Sequence, residues 1–80
     1  MNNEIEKLIE EIAEGQKKGL LNLGRRIVPT LTPEDILQPN DYPELENHPS
    51  FRYEEGVLAG IQTVQMAIKA LIKDQQKTTV

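Results

Sequence analysis

The sequence predicts an all-α protein, built as an antiparallel two-helix hairpin with a long proline-rich connector that contains short helical turns. Three observations favour this fold. Apolar residues recur at helical spacing in two long segments, all five prolines fall between positions 29 and 49, and both helical segments run from acidic to basic. At 80 residues, the chain is expected to form a single helical domain over residues 1–80.

The first helix is predicted over about residues 3–28. Its apolar stripe repeats at intervals of three and four residues and consists of Ile5, Ile9, Ile12, Leu20, Leu23 and Ile27. Asn3 and Glu6 form a candidate capping pair at its start. Because Pro29 disfavours helical geometry in the residue before it, the helix is expected to end at Val28.

The second helix is predicted over about residues 50–74, with Ser50 as its N-cap. The same alternation of three and four residues gives it an apolar stripe composed of Val57, Ile61, Val64, Ile68 and Leu71. Leu58 and Ile72 flank this stripe. The tail, residues 75–80, is mostly polar and is expected to fray.

The connector, residues 29–49, is expected to contain structure of its own, because structureless segments of about twenty residues are uncommon in compact domains. Thr32 and Asp35 have the spacing of a capping box, with a proline between them at the first helical position. They predict a short helical turn over residues 33–37. A second turn is predicted over residues 43–46, where another proline opens the segment.

Charge placement predicts that the two helices run antiparallel. Each helix is acidic near its start and basic near its end, which favours its own dipole, and an antiparallel pair then sets acid beside base. The predicted pairs are Glu6 with Lys73, Glu10 with Lys69, and Glu54 with Arg25. Exposed pairs contribute only about 0 to 1 kcal/mol each, so they select the orientation more than they stabilise it.

Four glycines lie inside the predicted helices, where each costs roughly 1 kcal/mol relative to alanine. They are Gly15, Gly19, Gly56 and Gly60. Two explanations remain open. Either small residues allow the helices to approach closely, with Gly19 facing Gly60, or a glycine breaks the first helix.

The apolar surface of the second helix is wider than one neighbouring helix can cover, so either the connector or a second chain must cover the rest. The chain contains no cysteine, and one core of this size supplies only about 3–5 kcal/mol. Association into a homodimeric four-helix bundle is therefore the predicted solution.

Composition argues against several functional classes. A net charge of −4 disfavours nucleic acid as a partner, and no segment resembles a signal peptide or a membrane span, so we expect a cytoplasmic protein without membrane contact. His48 is the only histidine and Ser50 the only serine, which leaves no convincing pair of nucleophile and base. We expect no enzyme activity, catalytic residue, cofactor or metal ligand.

The connector and its flanks form the candidate partner-binding site. Residues 34–55 contain seven acids and one arginine, together with all three aromatic residues of the chain. The candidate partner-binding residues are Asp41, Tyr42, Glu44, Phe51, Tyr53, Glu54 and Glu55. The leading hypothesis is a non-enzymatic helical protein–protein interaction module that forms a homodimer and offers this acidic, aromatic segment to a protein partner.

Two other interpretations of this segment stay open. In the first, the chain is a small carboxylate-based ligand or metal-binding protein that uses Asp41, His48, Glu54 and Glu55. In the second, the role is structural, and the end of the hairpin is capped by Leu37, Leu45, Phe51 and Tyr53. The capping interpretation and the partner-binding interpretation are compatible.

Overall fold

The computed structural model describes the backbone of residues 2–78 and the side chains of residues 4–75. Within that range the chain is helical apart from short connecting turns, and no strand occurs. The helices are α1 (Asn2–Ile27), α2 (Pro43–Glu46) and α3 (Pro49–Thr78), with 3-10 turns at Asp35–Leu37 and Pro39–Asp41. The prediction of an all-α fold is confirmed.

α1 is one continuous helix of 26 residues. Gly15 and Gly19 lie inside it without interrupting it, so the expectation that a glycine breaks this helix is wrong. A methyl group built on either glycine would meet no neighbouring side chain within 4 Å, and the same holds for Gly56 and Gly60 in α3. Because open space surrounds all four glycines, the prediction that they let α1 and α3 approach closely is wrong as well.

The end of α1 is fixed by three hydrogen bonds that turn the chain back over the helix. Val28 donates its N–H to the carbonyl of Gly24 at 2.7 Å, and Leu31 donates its N–H to the carbonyl of Val28 at 3.0 Å. Arg25 donates its Nε–H to the carbonyl of Leu31 at 2.9 Å. A methyl group on Gly24 would lie 2.5 Å from Cδ2 of Leu31, so the buried Leu31 would have to shift to admit any larger residue here.

The predicted capping pair at the start of α1 involves the side chain of Asn3, which lies outside the described side chains. This pair therefore stays a prediction.

α3 spans Pro49–Thr78, one residue earlier and four residues later than the predicted bounds. Its first residue is a proline, which suits a position whose N–H has no helical partner. Nδ1 of His48 accepts the N–H of Phe51 at 3.3 Å, so His48 acts as the cap and Ser50 lies inside the helix. The helix continues through part of the tail that was expected to fray, and residues 79 and 80 lie outside the described range.

The connector contains the predicted turns. Thr32 donates its N–H to Oδ2 of Asp35 at 2.9 Å, and Asp35 donates its N–H to Oγ1 of Thr32 at 3.4 Å. This reciprocal pair is the predicted capping box, and a 3-10 turn follows it. The turn predicted over residues 43–46 is α2. The 3-10 turn at Pro39–Asp41 was not predicted.

The hydrophobic core lies where the connector folds over α1 and α3. It consists of Leu20 from α1, Leu31 and Leu45 from the connector, and Phe51 and Leu58 from α3. Burial of a side chain of this size stabilises the folded state by about 1.5–3 kcal/mol. The connector therefore supplies part of the core and does more than link the two long helices.

The two long helices bury part of each predicted stripe. Their buried apolar residues are Ala13, Leu20, Phe51, Leu58 and Ile72. The predicted stripe residues that are half-buried are Ile9, Leu23, Ile27, Val57, Ile61 and Ile68. The predicted stripe residues that lie roughly half exposed are Ile5, Ile12, Val64 and Leu71.

A polar contact between Gln16 and Glu54 joins α1 to α3. Gln16 donates from Nε2 to the backbone carbonyl of Glu54 at 3.0 Å and to its carboxylate at 2.8 Å. Since Glu54 is engaged there, and Arg25 binds the end of α1, their predicted ion pair does not form. The ion pairs in the described part lie within single helices, Glu14 with Lys17 at 3.2 Å and Arg52 with Glu55 at 3.1 Å.

Candidate functional site

The structure divides the predicted partner-binding residues among different environments. Asp41 and Glu55 line one groove of about 520 Å³ beside the 3-10 turns of the connector. The groove also contains Arg52, whose Nη1 lies 3.1 Å from Oε1 of Glu55. Glu44 is exposed on α2. This groove is the polar part of the predicted site, and one of its acids is already neutralised by a neighbour.

Tyr42 is half-buried and packs against the core rather than standing free. Partial burial, followed by the nearby carboxylate of Asp35, raises the pKa of the Tyr42 hydroxyl. The neutral Tyr42 hydroxyl therefore stabilises the folded state. This stabilisation is present below the ordinary tyrosine pKa and is lost as the pH rises through the raised pKa.

Asp35 ties the connector turn to Tyr42. The backbone N–H of Thr32 is the main cause of a lowered pKa for the Asp35 carboxyl, and the hydroxyl of Tyr42 adds to it. The folded-state pKa therefore lies below the unfolded one. The capping box contributes stability above the ordinary aspartate pKa and loses it as the pH falls through the lowered value.

Phe51 lies in the core with none of its side chain exposed, so it offers no surface to a partner in this fold. Leu45 is equally buried, and both residues cap the packed end of α1 and α3. The capping interpretation therefore describes these two residues. Leu37 and Tyr53 differ, because they are 78% and 72% exposed. Glu54 is half-buried and is held by Gln16.

The residues of the metal-binding alternative are not brought together. Among the described residues, no three His, Asp or Glu side chains gather closely enough to hold a metal ion. His48 uses Nδ1 to cap α3, and Glu54 faces Gln16 on α1.

A second groove, of about 680 Å³, lies between α1, α3 and the connector. Its apolar wall includes Leu20, Leu21, Ile36, Leu37, Leu58 and Ala59, and its rim carries Lys17, Lys18 and Glu55. This groove identifies the side of the α1–α3 layer on which the connector lies.

Exposed apolar residues of α1 and α3 form a further surface, which the sequence analysis did not identify. We call it the open face and define it by two stripes. On α1 the stripe is Ile5, Leu8, Ile12, Gly15 and Gly19, and on α3 it is Tyr53, Val57, Gly60, Val64, Ala67 and Leu71. Both stripes alternate steps of three and four residues, which is the heptad pattern of helices that pack side by side.

The open face is accessible in the single chain. All of its residues are exposed except Val57, which is half-buried. Five of its large side chains, Ile5, Leu8, Ile12, Val64 and Leu71, are 45–59% exposed. The unusual width of the apolar surface on α3 was the sequence signal for this face. Its boundary could not be drawn until the buried stripe was known.

None of the helices within residues 2–78 combines the length and the apolar character that a membrane crossing requires. In comparisons with known proteins, no protein-family model matches this chain, and neither a curated protein nor a solved structure shows significant similarity to it.

Proposed function

We propose that this chain is a non-enzymatic, self-associating interaction module. In this proposal α1 and α3 form an antiparallel hairpin, two hairpins pair through their open faces into a four-helix bundle, and the acidic connector stays available to a protein partner. The observation that carries the proposal is the pair of exposed heptad stripes on α1 and α3.

Two contacts support the antiparallel direction. Gly24, near the end of α1, lies beside Phe51 at the start of α3. Gln16, two turns earlier in α1, reaches Glu54, which lies later in α3. Residues earlier in α1 thus contact residues later in α3, as an antiparallel pair requires.

The two stripes of the open face fall on one side of such a hairpin. In each helix the open stripe lies one residue before the buried one: Ile12 precedes Ala13, and Val57 precedes Leu58. One residue corresponds to a rotation of about 100° in the same sense, seen from the start of each helix. Because the two helices run in opposite directions, these rotations carry both stripes to the same side.

The connector covers the other side. Leu21 and Ala59 lie one residue after the buried Leu20 and Leu58, and both line the groove that the connector closes with Ile36. The connector therefore does not compete with a second chain for the open face. Contiguous exposed apolar surfaces of this kind mark interaction sites in proteins that work in water.

The available connector surface is acidic. Asp41 and Glu44 are exposed there, and Glu55 lines both grooves. This charge favours a protein partner with basic groups. Phe51 is not part of this surface, so the partner would meet acids and the exposed Leu37 rather than a cluster of aromatic anchors.

Thermal unfolding at several protein concentrations tests the proposal. If folding and dimerisation are coupled, mass action raises the melting temperature with concentration, by about 5–10 °C for a hundredfold increase in a bundle of this size. Circular dichroism at the helical band is the measurement. A melting temperature that does not change across the concentration range would contradict self-association.

A further inference from the structure

Two arrangements would bury the open face of one hairpin against that of a second copy. If the twofold axis is perpendicular to the helices, α1 packs on α1 of the second copy and the two connectors lie at opposite ends. If the axis is parallel to the helices, α1 packs on α3 of the second copy and both connectors lie at one end. Neighbouring helices are antiparallel in both cases, so direction alone does not distinguish them.

The charges that border the open face do distinguish them. On α1, the border that faces away from α3 is a series at every seventh residue, Glu4, Glu11, Lys18 and Arg25, all exposed. Lys18 also lines the connector groove, and Arg25 also donates to the carbonyl of Leu31. The series changes sign midway, from two acids to two bases. Glu11 and Lys18 make no ion pair with any described side chain of their own chain. In heptad packing, border residues of this kind set the choice and the orientation of the partner helix.

The series is self-complementary in one arrangement only. When α1 packs antiparallel on a second α1, Glu11 meets Lys18 of the other copy. This pair is centred next to Gly15. Among the described side chains, the corresponding border of α3 is Gly56, Thr63 and Ala70, which carry no charge. Packing α1 on α3 would therefore leave Glu11 and Lys18 opposite uncharged residues.

Gly15 agrees with the same centre. Gly24 lies beside Phe51 and Gln16 reaches Glu54, so Gly15 is level with the part of α3 between Glu55 and Gly60. A twofold axis through this level would bring Gly15 close to its own copy. Gly15 has open space around it in the single chain, which leaves room for a second backbone to approach.

We infer that two copies of this chain pair with their connectors at opposite ends, α1 against α1 and α3 against α3, with the twofold axis near Gly15. This inference rests on the proposed self-association. It places the two acidic connector surfaces far apart, so the dimer presents one partner-binding surface at each end of an elongated bundle.

Cross-linking of single-cysteine variants tests the arrangement, because the chain has no cysteine of its own. A mixture of Glu11→Cys and Lys18→Cys chains is treated with a short bismaleimide, and a mixture of Glu11→Cys and Thr63→Cys chains is treated in the same way. Each variant alone is the control, and light scattering reports the mass of every sample before treatment.

The inferred arrangement predicts that the first mixture gives at least a fivefold higher yield of linked dimer than the second. Variants of dimer mass that link preferentially in the second mixture would overturn the inferred arrangement while leaving self-association intact. Equal yields from both mixtures at dimer mass would also overturn it. Variants and parent chain that all have the mass of a monomer would overturn the proposed self-association itself.

Discussion

Replacing Phe51 with alanine is expected to unfold most of the protein. The Phe51 ring is fully buried and meets Leu31 and Leu45 of the connector across the core, with Gly24 of α1 beside it. Removal of a buried phenylalanine side chain costs about 3–5 kcal/mol, because transfer energy is lost and a cavity is left. One core of an 80-residue chain supplies only about that much net stability. Chemical denaturation followed by circular dichroism measures the effect.

Leu37→Ala is the control for this experiment. It removes a large apolar side chain that is 78% exposed and lies outside the open face. The monomer fold should therefore lose no more than about 0.5 kcal/mol, as is usual for exposed positions. A Phe51→Ala variant that keeps its helical signal and its unfolding midpoint would contradict the core assigned to this residue.

Replacing Val64 with glutamate is expected to dissociate the dimer without unfolding the helix. Val64 is half exposed in the single chain and lies at the centre of the open face. In the paired state each copy would bury a new charge and lose an apolar contact, a loss of about 1.5–3 kcal/mol per copy from the apolar term alone. The dimer dissociation constant should rise at least about a hundredfold. Sedimentation equilibrium measures this constant.

Met66→Glu is the control for the open face. Met66 is 70% exposed and lies only two residues from Val64, but it falls on the side of α3 that the connector covers nearer the start of the helix. The same charge placed there should leave the dissociation constant nearly unchanged. Equal effects of the two substitutions would show that net charge, and not the open face, controls association.

The sequence was sufficient to predict the local structure. The two long helices, the capping box between Thr32 and Asp35, and the short helix at residues 43–46 all depend on signals from neighbouring residues. These signals act within a few residues of the chain. They do not depend on how the helices pack.

The sequence was not sufficient to predict which side of each helix is buried. On α3, apolar residues occupy two adjacent stripes, one through Leu58 and one through Val64, and periodicity alone favoured the second. The connector accounts for the choice, because Leu31 and Leu45 lie in the same core cluster as Leu58 of the first stripe. That packing is between residues distant in sequence, and no local pattern encodes it.

In the candidate site, too, composition was predictable from the sequence and side-chain burial was not. The acidic character of the connector follows from composition, and Asp41 and Glu55 do lie together. The placement of Phe51 in the core could not be separated from an exposed role, since an aromatic residue after a proline is compatible with both. The open face became definable only once the buried stripes were known.

The mass of the parent protein in solution, measured by light scattering across a dilution series, tests whether the chain self-associates. We expect a mass of twice the 9.1 kDa of the single chain at high concentration, falling toward 9.1 kDa on sufficient dilution. A mass of one chain at every concentration would contradict it. The exposed heptad stripes of α1 and α3 would then be the surface of a monomer.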